Sequence, residues 1–533
     1  MRSATSLVQA PMSDAGSGIV LVGMPTTGKS TVGRLVAERL ERPFIDTDEL
    51  SAGRAGMPVS DYIRRHGEPA YRELESGAVA EACRTPSAVI ATGGGAVLDP
   101  LNRWALWHHG TVAWLDVGTS ELLRRLTADD VARPTLQPYG AERLVSVLAN
   151  RAPAYRAADL RLDASGSPDA VAGELISRLG PLRGRRMLDA EVERHHPIGP
   201  ATARVVMGVD LAEETPAGVA IVDRRLLTVA PELVRGIRMG GCLPLAAGER
   251  SKRIRSLERI LEWLVAERVE RETPLIAVGG GTIGDLAGTA AAVYARGLPL
   301  VHVPTTWLAQ ADSAIGGKVA VDLAGAKNAV GAFWPPVAVI SDVAALRSLP
   351  LRLRRDGMAE SIKAAIIGDP ALWLLLEKRG AKALRSDEPA RYAILERSAR
   401  LKLGVCERDP FETGERRTLN LGHTIGHALE IESGYRLPHG AAVALGMRSV
   451  AAIAAARGAD SELAPRLDGL LDRLGFTLRR SFDAAAVRAA MLGDKKRRAG
   501  RQRWILPMEI GRVIEADDVT DAELELGLRT ISA

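Results

Sequence analysis

GMPTTGKS, residues Gly23–Ser30, decides the fold of the first part of this chain. It has the form GxxxxGKS and lies between an apolar run, Ile19–Val22, and a helical pattern, Lys29–Leu40. That placement separates a phosphate-binding loop from a chance glycine-rich turn. Glycines let backbone N–H groups turn inward around phosphate oxygens, and the helix N-terminus adds partial positive charge. In this reading Gly23 and Gly28 shape the loop and Lys29 meets the β- and γ-phosphates. Ser30 ligates Mg²⁺, with Thr31 beside it at the start of the helix. The motif specifies a nucleoside triphosphate and leaves the acceptor open.

Outward from the loop, Ala88–Ala91 and Thr111–Leu115 read as further short buried strands, and Glu68–Ala82 reads as a helix. Strands alternating with helices predict an α/β fold, a parallel sheet with helices on both faces. Two composition breaks bound this region. The first is the Ser/Ala/Gly-rich tail, residues 1–17. The second, GPLRGRRMLDAEVERHHPIGPATA at Gly180–Ala203, is basic and punctuated by Pro and Gly. It predicts an interdomain linker over 181–203, after a domain over 18–180. A second α/β pattern follows, with strands at Val219–Val222, Leu275–Val278 and Leu300–Val303. Beyond about Ser341 helical patterns take over, so residues 204–341 form an α/β subdomain and 342–533 a mostly helical one.

Composition narrows the function classes. Hydrophobic residues make up 46% and charged residues 25%, as in ordinary soluble domains. The net charge of +5 is small for 533 residues and suits anionic small molecules. Aromatics, at 4%, are too sparse to interleave with basic patches, which speaks against nucleic acid. Cys83, Cys242 and Cys406 are far apart and form no CxxC pair. Neither a disulfide framework nor a thiolate zinc site is expected, and a reducing cytoplasm fits. The first residues lack the apolar core of a signal peptide. No apolar stretch reaches the ~18 residues of a membrane span. Ala441–Ala456 comes nearest, is interrupted by Arg448, and reads as a buried helix.

The richest signal of the second part is metal-like. His423 and His427 stand at i and i+4, on one face of a helix. His439 follows in LPHG, and Glu360 lies upstream in DGMAESIK. Two histidines with one carboxylate make a catalytic zinc arrangement. Two packed helix histidines are the plainer alternative for HxxxH alone. The motif is not HExxH, since Thr424 follows His423. Gly279–Gly284, GGGTIG, satisfies GxGxxG after a strand and points to a dinucleotide phosphate. The acidic residue expected about 20 positions later is missing, because that region reads VHVPTT, so a standard Rossmann dehydrogenase is not indicated.

The first half, Ile19 to Leu179, resembles shikimate kinase in FIDTD (Phe44–Asp48), GEPAYRELE (Gly67–Glu75), TGGGAV (Thr92–Val97), RPTL (Arg133–Leu136) and RAPAY (Arg151–Tyr155). The resemblance implies ATP with Mg²⁺ as cofactor and shikimate as acceptor. It puts Asp46 near Mg²⁺ and Asp48 on the shikimate hydroxyls, both read as lying on one extended stretch. Arg72 and Arg151 would grip the carboxylate, Gly93, Gly94 and Gly95 would let the backbone approach the ring, and Arg133 would be the lid arginine. Thr26 stands where the family commonly has Gly, and Tyr71 where it has Phe.

From Val205 onward the chain resembles 3-dehydroquinate synthase. The matches are AGERSK (Ala247–Lys252), GGGTIGDLAG (Gly279–Gly288), YARG (Tyr294–Gly297), VPTTWLAQADSAIGGK (Val303–Lys318), AKNAVGAF (Ala326–Phe333), GMAESIK (Gly357–Lys363), RRTLNLGHTIGHALE (Arg416–Glu430), LPHG (Leu437–Gly440) and DKK (Asp494–Lys496). By this resemblance Glu360, His423 and His439 hold Zn²⁺ or Co²⁺. NAD⁺ is held by Asp223, Glu249, Lys252, Gly280, Gly281, Asp285, Thr305 and Thr306, with Asp312 and Lys327 beside them. The heptulosonate phosphate substrate meets Arg296, Lys318, Asn328, Lys363, Lys402, Arg416, Asn420, His427, and Lys495 or Lys496. Of these, Lys318, Lys363, Arg416 and His427 are expected to be catalytic. The family also implies small-molecule partners only, no membrane, and a homodimer through the synthase half. Ala441 replaces the usual Glu after the third zinc motif. The competing readings are another sugar-phosphate cyclase whose substrate lacks a carboxylate, and a catalytically silent regulatory half. Lys402, Arg416 and His427 favour the first assignment over the other cyclase.

Overall fold

The computed structural model describes residues 18–128, 140–182, 184–196, 198–323, 326–492 and 502–533. The chain divides into two compact units, the first ending at Ala190 and the second beginning at Glu191.

In the first unit five strands form a parallel sheet: β1 (Gly18–Val22), β2 (Phe44–Asp46), β3 (Val89–Ala91), β4 (Gly110–Asp116) and β5 (Leu160–Asp163), in the order β2-β3-β1-β4-β5. Helices cover a parallel sheet on both faces, so its strands are apolar on both sides. All five residues of β1 are accordingly buried. The predicted strands are present to within a residue. β2 and β5 escaped notice, because three or four residues are too few to show a period.

The helix expected at Glu68–Ala82 is longer, Val59–Ala82, and broken at Gly67, which has φ 83° and ψ 163°. Pro69 enforces the break: it has no N–H to continue the ladder, and its ring crowds the preceding turn. Asp46 and Asp48 do not share an extended stretch. β2 ends at Asp46, whose Oδ1 accepts from the backbone N–H of Asp48 (2.9 Å) and Glu49 (3.4 Å). Asp46 thus caps the helix Thr47–Ala55, and Asp48 lies in its first turn.

The segment 181–203, expected to be a linker, carries strand instead. β6 (Arg185–Glu193) fills most of it, and β7 (Thr202–Val209) begins within it. Met187 and Leu188 are fully buried, and Arg194 donates to the carbonyls of Ile198, Pro200 and Pro335. Arginines that satisfy carbonyls gave the segment a basic, loop-like appearance.

The main sheet of the second unit adds β8 (Gly218–Asp223), β9 (Met239–Leu245), β10 (Leu275–Gly279), β11 (Leu300–Pro304) and β14 (Ala338–Asp342). Within the unit the order is β7-β14-β11-β10-β8-β9, and these six strands run parallel. The hairpin β12 (Lys318–Leu323) and β13 (Ala326–Phe333) stands apart from it. Helix Gly281–Val293 leaves β10 directly and buries Ile283, Leu286, Ala287, Ala290 and Ala291 in the core with Leu275, Ala277 and Leu300. Past Asp342 the described residues are mostly helical, apart from a hairpin of β15 (Trp504–Glu509) and β16 (Arg512–Ala516). Helix His439–Ala456 is long and apolar enough to cross a membrane, yet 72% of it is buried within the protein.

Candidate active sites

The first cavity, of about 540 Å³, opens over the loop that follows β1. Gly23 must be glycine, since a Cβ there would stand 2.6 Å from the Leu115 carbonyl. Gly28 lies at φ 88°, the left-handed region that glycine enters without strain. Lys29 is almost wholly buried, and its Nζ donates to the carbonyls of Gly23 (3.0 Å) and Met24 (2.8 Å). The Ser30 hydroxyl donates to Asp46 Oδ2 at 2.6 Å. A hydroxyl and a carboxylate held edge to edge beside the loop lysine are hard oxygen donors of the kind Mg²⁺ takes, so the residues fit that ion. Thr31, Asp48 and Gly94 also line the cavity.

Behind the cavity the three glycines explain themselves. A Cβ on Gly93 would lie 2.6 Å from both Asp48 Oδ1 and Glu75 Oε1; on Gly94, 2.9 Å from Arg151 Nη1; on Gly95, 2.4 Å from Arg72 Nη1. Each glycine makes room for one of the predicted substrate side chains. Arg72 is fixed by Glu75 (2.7 Å) and Glu68 (2.6 Å). Tyr71 donates its hydroxyl to Asp48 Oδ1 at 3.0 Å. Burial, followed by the negative charges of Asp48 and Glu75, pushes its phenol well above the usual range and keeps it a donor. Burial likewise raises the Glu75 carboxyl, against the pull of Arg72. Arg124 and Arg125 line the cavity and were not foreseen. Arg133 lies outside the described residues.

Thr26 sits at φ 64°, a conformation disfavoured for a β-branched residue. The left-handed state costs an L-residue roughly 1–2 kcal/mol, and glycine returns part of that through its freer unfolded chain. Thr26→Gly should raise the melting temperature of the kinase unit by about 2–4 °C. Calorimetry of the whole chain reads this, and an unchanged or lower transition would rule out the strain.

The second cavity, of about 760 Å³, gathers residues from far apart in the sequence. Asp223, Glu249, Lys252, Gly280, Gly281, Asp285, Thr305 and Thr306 line one part of it. Gly280 and Gly281 open the helix Gly281–Val293; a Cβ on them would meet Thr306 at 2.9 Å and Ser313 at 3.0 Å. A close-packed glycine turn at a helix N-terminus is what a dinucleotide phosphate needs, so this wall fits NAD⁺. Lys252 pairs with Asp285 (2.5 Å) and donates to Asn328; Lys327 pairs with Glu249 (3.0 Å). Burial raises the Asp285 carboxyl, opposed by Lys252.

The other part of the cavity holds the histidines. Glu360 Oε1 is 3.1 Å from His439 Nε2 and 3.6 Å from His423 Nε2, and the three donor atoms lie within 4.8 Å of one another. Tetrahedral zinc with bonds of 2.0–2.1 Å separates its ligand atoms by about 3.3 Å. The trio therefore fits Zn²⁺ or a similar ion. His427 is not part of it, although it shares a helix face with His423. His427, Glu430 and His439 make a second close group.

Cations surround this centre. Lys363 is buried, pairs with Glu360, and lies 3.9 Å from Asp312; Lys402 is 2.9 Å from the same carboxylate. Burial opposes the charge of Asp312, but Lys402 and Lys363 outweigh it and hold the carboxyl far below its usual range. Lys318 pairs with Glu412, which also accepts from Asn420 at 2.8 Å. Arg416 donates to the Gly316 carbonyl at 2.7 Å. The structure thus brings Lys318, Asn328, Lys363, Lys402, Arg416, Asn420 and His427 to one cavity. It does not bring Arg296, which is exposed and absent from the lining, at φ 63° between Ala295 and Gly297. Lys495 and Lys496 lie outside the described residues. Glu412 and Glu430 were missed. Glu430 was findable, because His423, His427 and Glu430 stand at i, i+4 and i+7.

Comparison with known proteins agrees with this geometry. Residues 25–180 match the family model of shikimate kinase; residues 242–356 and 357–497 match those of the 3-dehydroquinate synthase N-terminal and C-terminal parts. A 3-dehydroquinate synthase of Symbiobacterium thermophilum is 41% identical over 289 residues, covering 54% of this chain and 81% of its own. A 2-epi-valiolone synthase of Actinosynnema mirum is 40% identical over 307 residues, covering 56% and 80%. Among solved structures, the 2-epi-5-epi-valiolone synthase ValA of Streptomyces hygroscopicus, with NAD⁺ and Zn²⁺ bound, shares 27% identity at a TM-score of 0.58, covering 63% of this chain and 98% of its own. The chain therefore belongs to the 3-dehydroquinate synthase family, and a shikimate kinase precedes the synthase in one bifunctional polypeptide.

Proposed function

We propose that the first cavity transfers a phosphoryl group from ATP to shikimate, and that the second cyclises 3-deoxy-arabino-heptulosonate 7-phosphate to 3-dehydroquinate with loss of phosphate. In the first, Lys29 and the loop N–H groups hold the phosphates, while Ser30 and Asp46 hold Mg²⁺. Arg72 and Arg151 bind the shikimate carboxylate with the planar guanidinium fork. Asp48 takes the proton of the attacking hydroxyl, and Tyr71 holds it in place.

In the second cavity one observation carries the reading. The dinucleotide turn, the Glu360–His423–His439 trio and a cluster of buried cations face a single space. NAD⁺ supplies hydride acceptance and return there, and Zn²⁺ or Co²⁺ polarises the oxygens of the reacting carbons. Lys318, Asn328 and Asn420 orient the phosphate. Lys363, Lys402 and Arg416 hold the carboxylate end and exclude water from it.

The likeness to valiolone synthases makes substrate choice the decisive test. Phosphate release is measured from the heptulosonate phosphate and from a heptulose phosphate lacking the carboxylate, with NAD⁺ and Zn²⁺ each omitted in turn. A site built to pair a buried charged group rejects the analogue without it by about 10⁴-fold in kcat/KM. Equal use of the two substrates would overturn the assignment. Arg296, exposed and absent from the lining of the cavity, agrees with a homodimer through the synthase unit, and a single-chain mass by light scattering would exclude one. A cytoplasmic location fits both reactions; recovery of the chain in a membrane fraction would contradict it.

A further inference from the structure

Glu430 plays no part in the chemistry described so far, yet it lies buried beside the metal trio. Its Oε1 is 3.4 Å from His439 Nδ1, the nitrogen opposite the one that faces Glu360. Among the described residues its Oε2 has no hydrogen-bond partner. The Lys327 ammonium stands 3.6 Å from Oε1. Two roles are open to such a carboxylate: ligand of a second cation with His427 and His439, or acceptor for the Nδ1–H of His439. Lys327 decides between them, because a fixed positive charge already faces the carboxylate where a second ion would have to sit.

We propose that Glu430 is a positioning residue for the metal centre, accepting the Nδ1–H of His439 and so fixing the ring and the tautomer that presents Nε2 beside Glu360. A ligating histidine whose other nitrogen is held by a carboxylate is oriented before the metal arrives and is more basic toward it. The Lys327 ammonium, 3.6 Å from Oε1, gives this carboxylate a fixed positive neighbour. Lys327 also pairs with Glu249 in the dinucleotide wall, so the carboxylate that aims His439 is anchored to the NAD⁺ side of the same cavity.

This inference rests on the trio being a metal site, and the experiment separates the two. Zn²⁺ affinity is measured on the full chain by chelator competition for the parent, Glu360→Ala, Glu430→Gln and Glu430→Ala, with melting of the metal-free protein recorded alongside. Glu360→Ala should abolish specific binding. Glu430→Ala should bind Zn²⁺ about 10–100-fold more weakly, with an unchanged metal-free transition, and should alter the visible spectrum of the Co²⁺ form. Glu430→Gln, which retains an acceptor oxygen but no charge, should fall between. Parent affinity in both Glu430 variants would overturn the positioning role, as would lowered metal-free stability with unchanged affinity. A parent that binds no Zn²⁺, or binds it as well without Glu360, would overturn the metal site itself.

Discussion

Glu360→Gln will reduce phosphate release from the heptulosonate phosphate by on the order of 10³-fold or more while leaving shikimate phosphorylation within twofold of the parent. Glu360 is only 2% exposed, and its Oε1 sits between the Nε2 atoms of His423 and His439. Gln preserves shape and one carbonyl oxygen but removes the charge on which a divalent ion depends. Metal polarisation supplies several kcal/mol of transition-state stabilisation, and each 1.36 kcal/mol is a factor of ten in rate. The substitution also takes from the buried ammonium of Lys363 the nearer of its two carboxylates, leaving Asp312 at 3.9 Å. Breaking a buried pair from one side costs about 3–5 kcal/mol. The melting transition of the synthase unit should therefore fall as well. Zinc content by elemental analysis, steady-state kinetics of both reactions and calorimetry read these effects on one sample. A variant that keeps its zinc and its cyclase rate would remove Glu360 from the centre.

How far the sequence carried this reading depends on distance along the chain. The phosphate loop was legible because its physics is local: a strand, a left-handed glycine and a lysine within eight residues. The metal trio was not, because Glu360 and His439 are 79 positions apart and no period links them. The residues offered His423 and His427, an i, i+4 pair, with His439 and Glu360 as further candidates, and the fold uses only His423 of that pair in the trio. His427 faces Glu430 and His439 instead. His439 and Glu360 were grouped with that pair as one metal-like set, and only the resemblance chose which members of the set would ligate. Local chemistry also misled. Two aspartates two residues apart looked like one extended stretch until Asp46 proved to cap the helix that Asp48 begins. The arginines of 181–203 looked like a solvated linker, although Arg185, Arg186 and Arg194 each donate to backbone carbonyls. Side chains that act on backbone carbonyls leave no pattern to count.

Asp48→Asn will lower the kinase kcat by about 10²–10⁴-fold, the range for removal of a general base, with ATP affinity and the cyclase rate unchanged. Asn matches Asp in size, so Gly93 still accommodates it, and the hydroxyl of Tyr71 can still donate to its oxygen. The Asp46 cap uses the backbone N–H of residue 48, which the substitution leaves in place. What is lost is the ability to accept the proton of the shikimate hydroxyl. In the proposed site the nucleotide and its magnesium are held by Lys29, Ser30 and Asp46, which the substitution leaves in place. The alternative is chemically serious. Phosphoryl transfer passes through a loose transition state in which the nucleophile is barely bonded, so proton removal can lag behind transfer. If kcat stays within threefold and only the shikimate KM rises, Asp48 orients the acceptor hydroxyl and the reaction needs no base. Catalysis would then rest on Lys29 and the magnesium. Separate kcat and KM values for shikimate and for ATP, measured on the intact bifunctional chain, decide between the two.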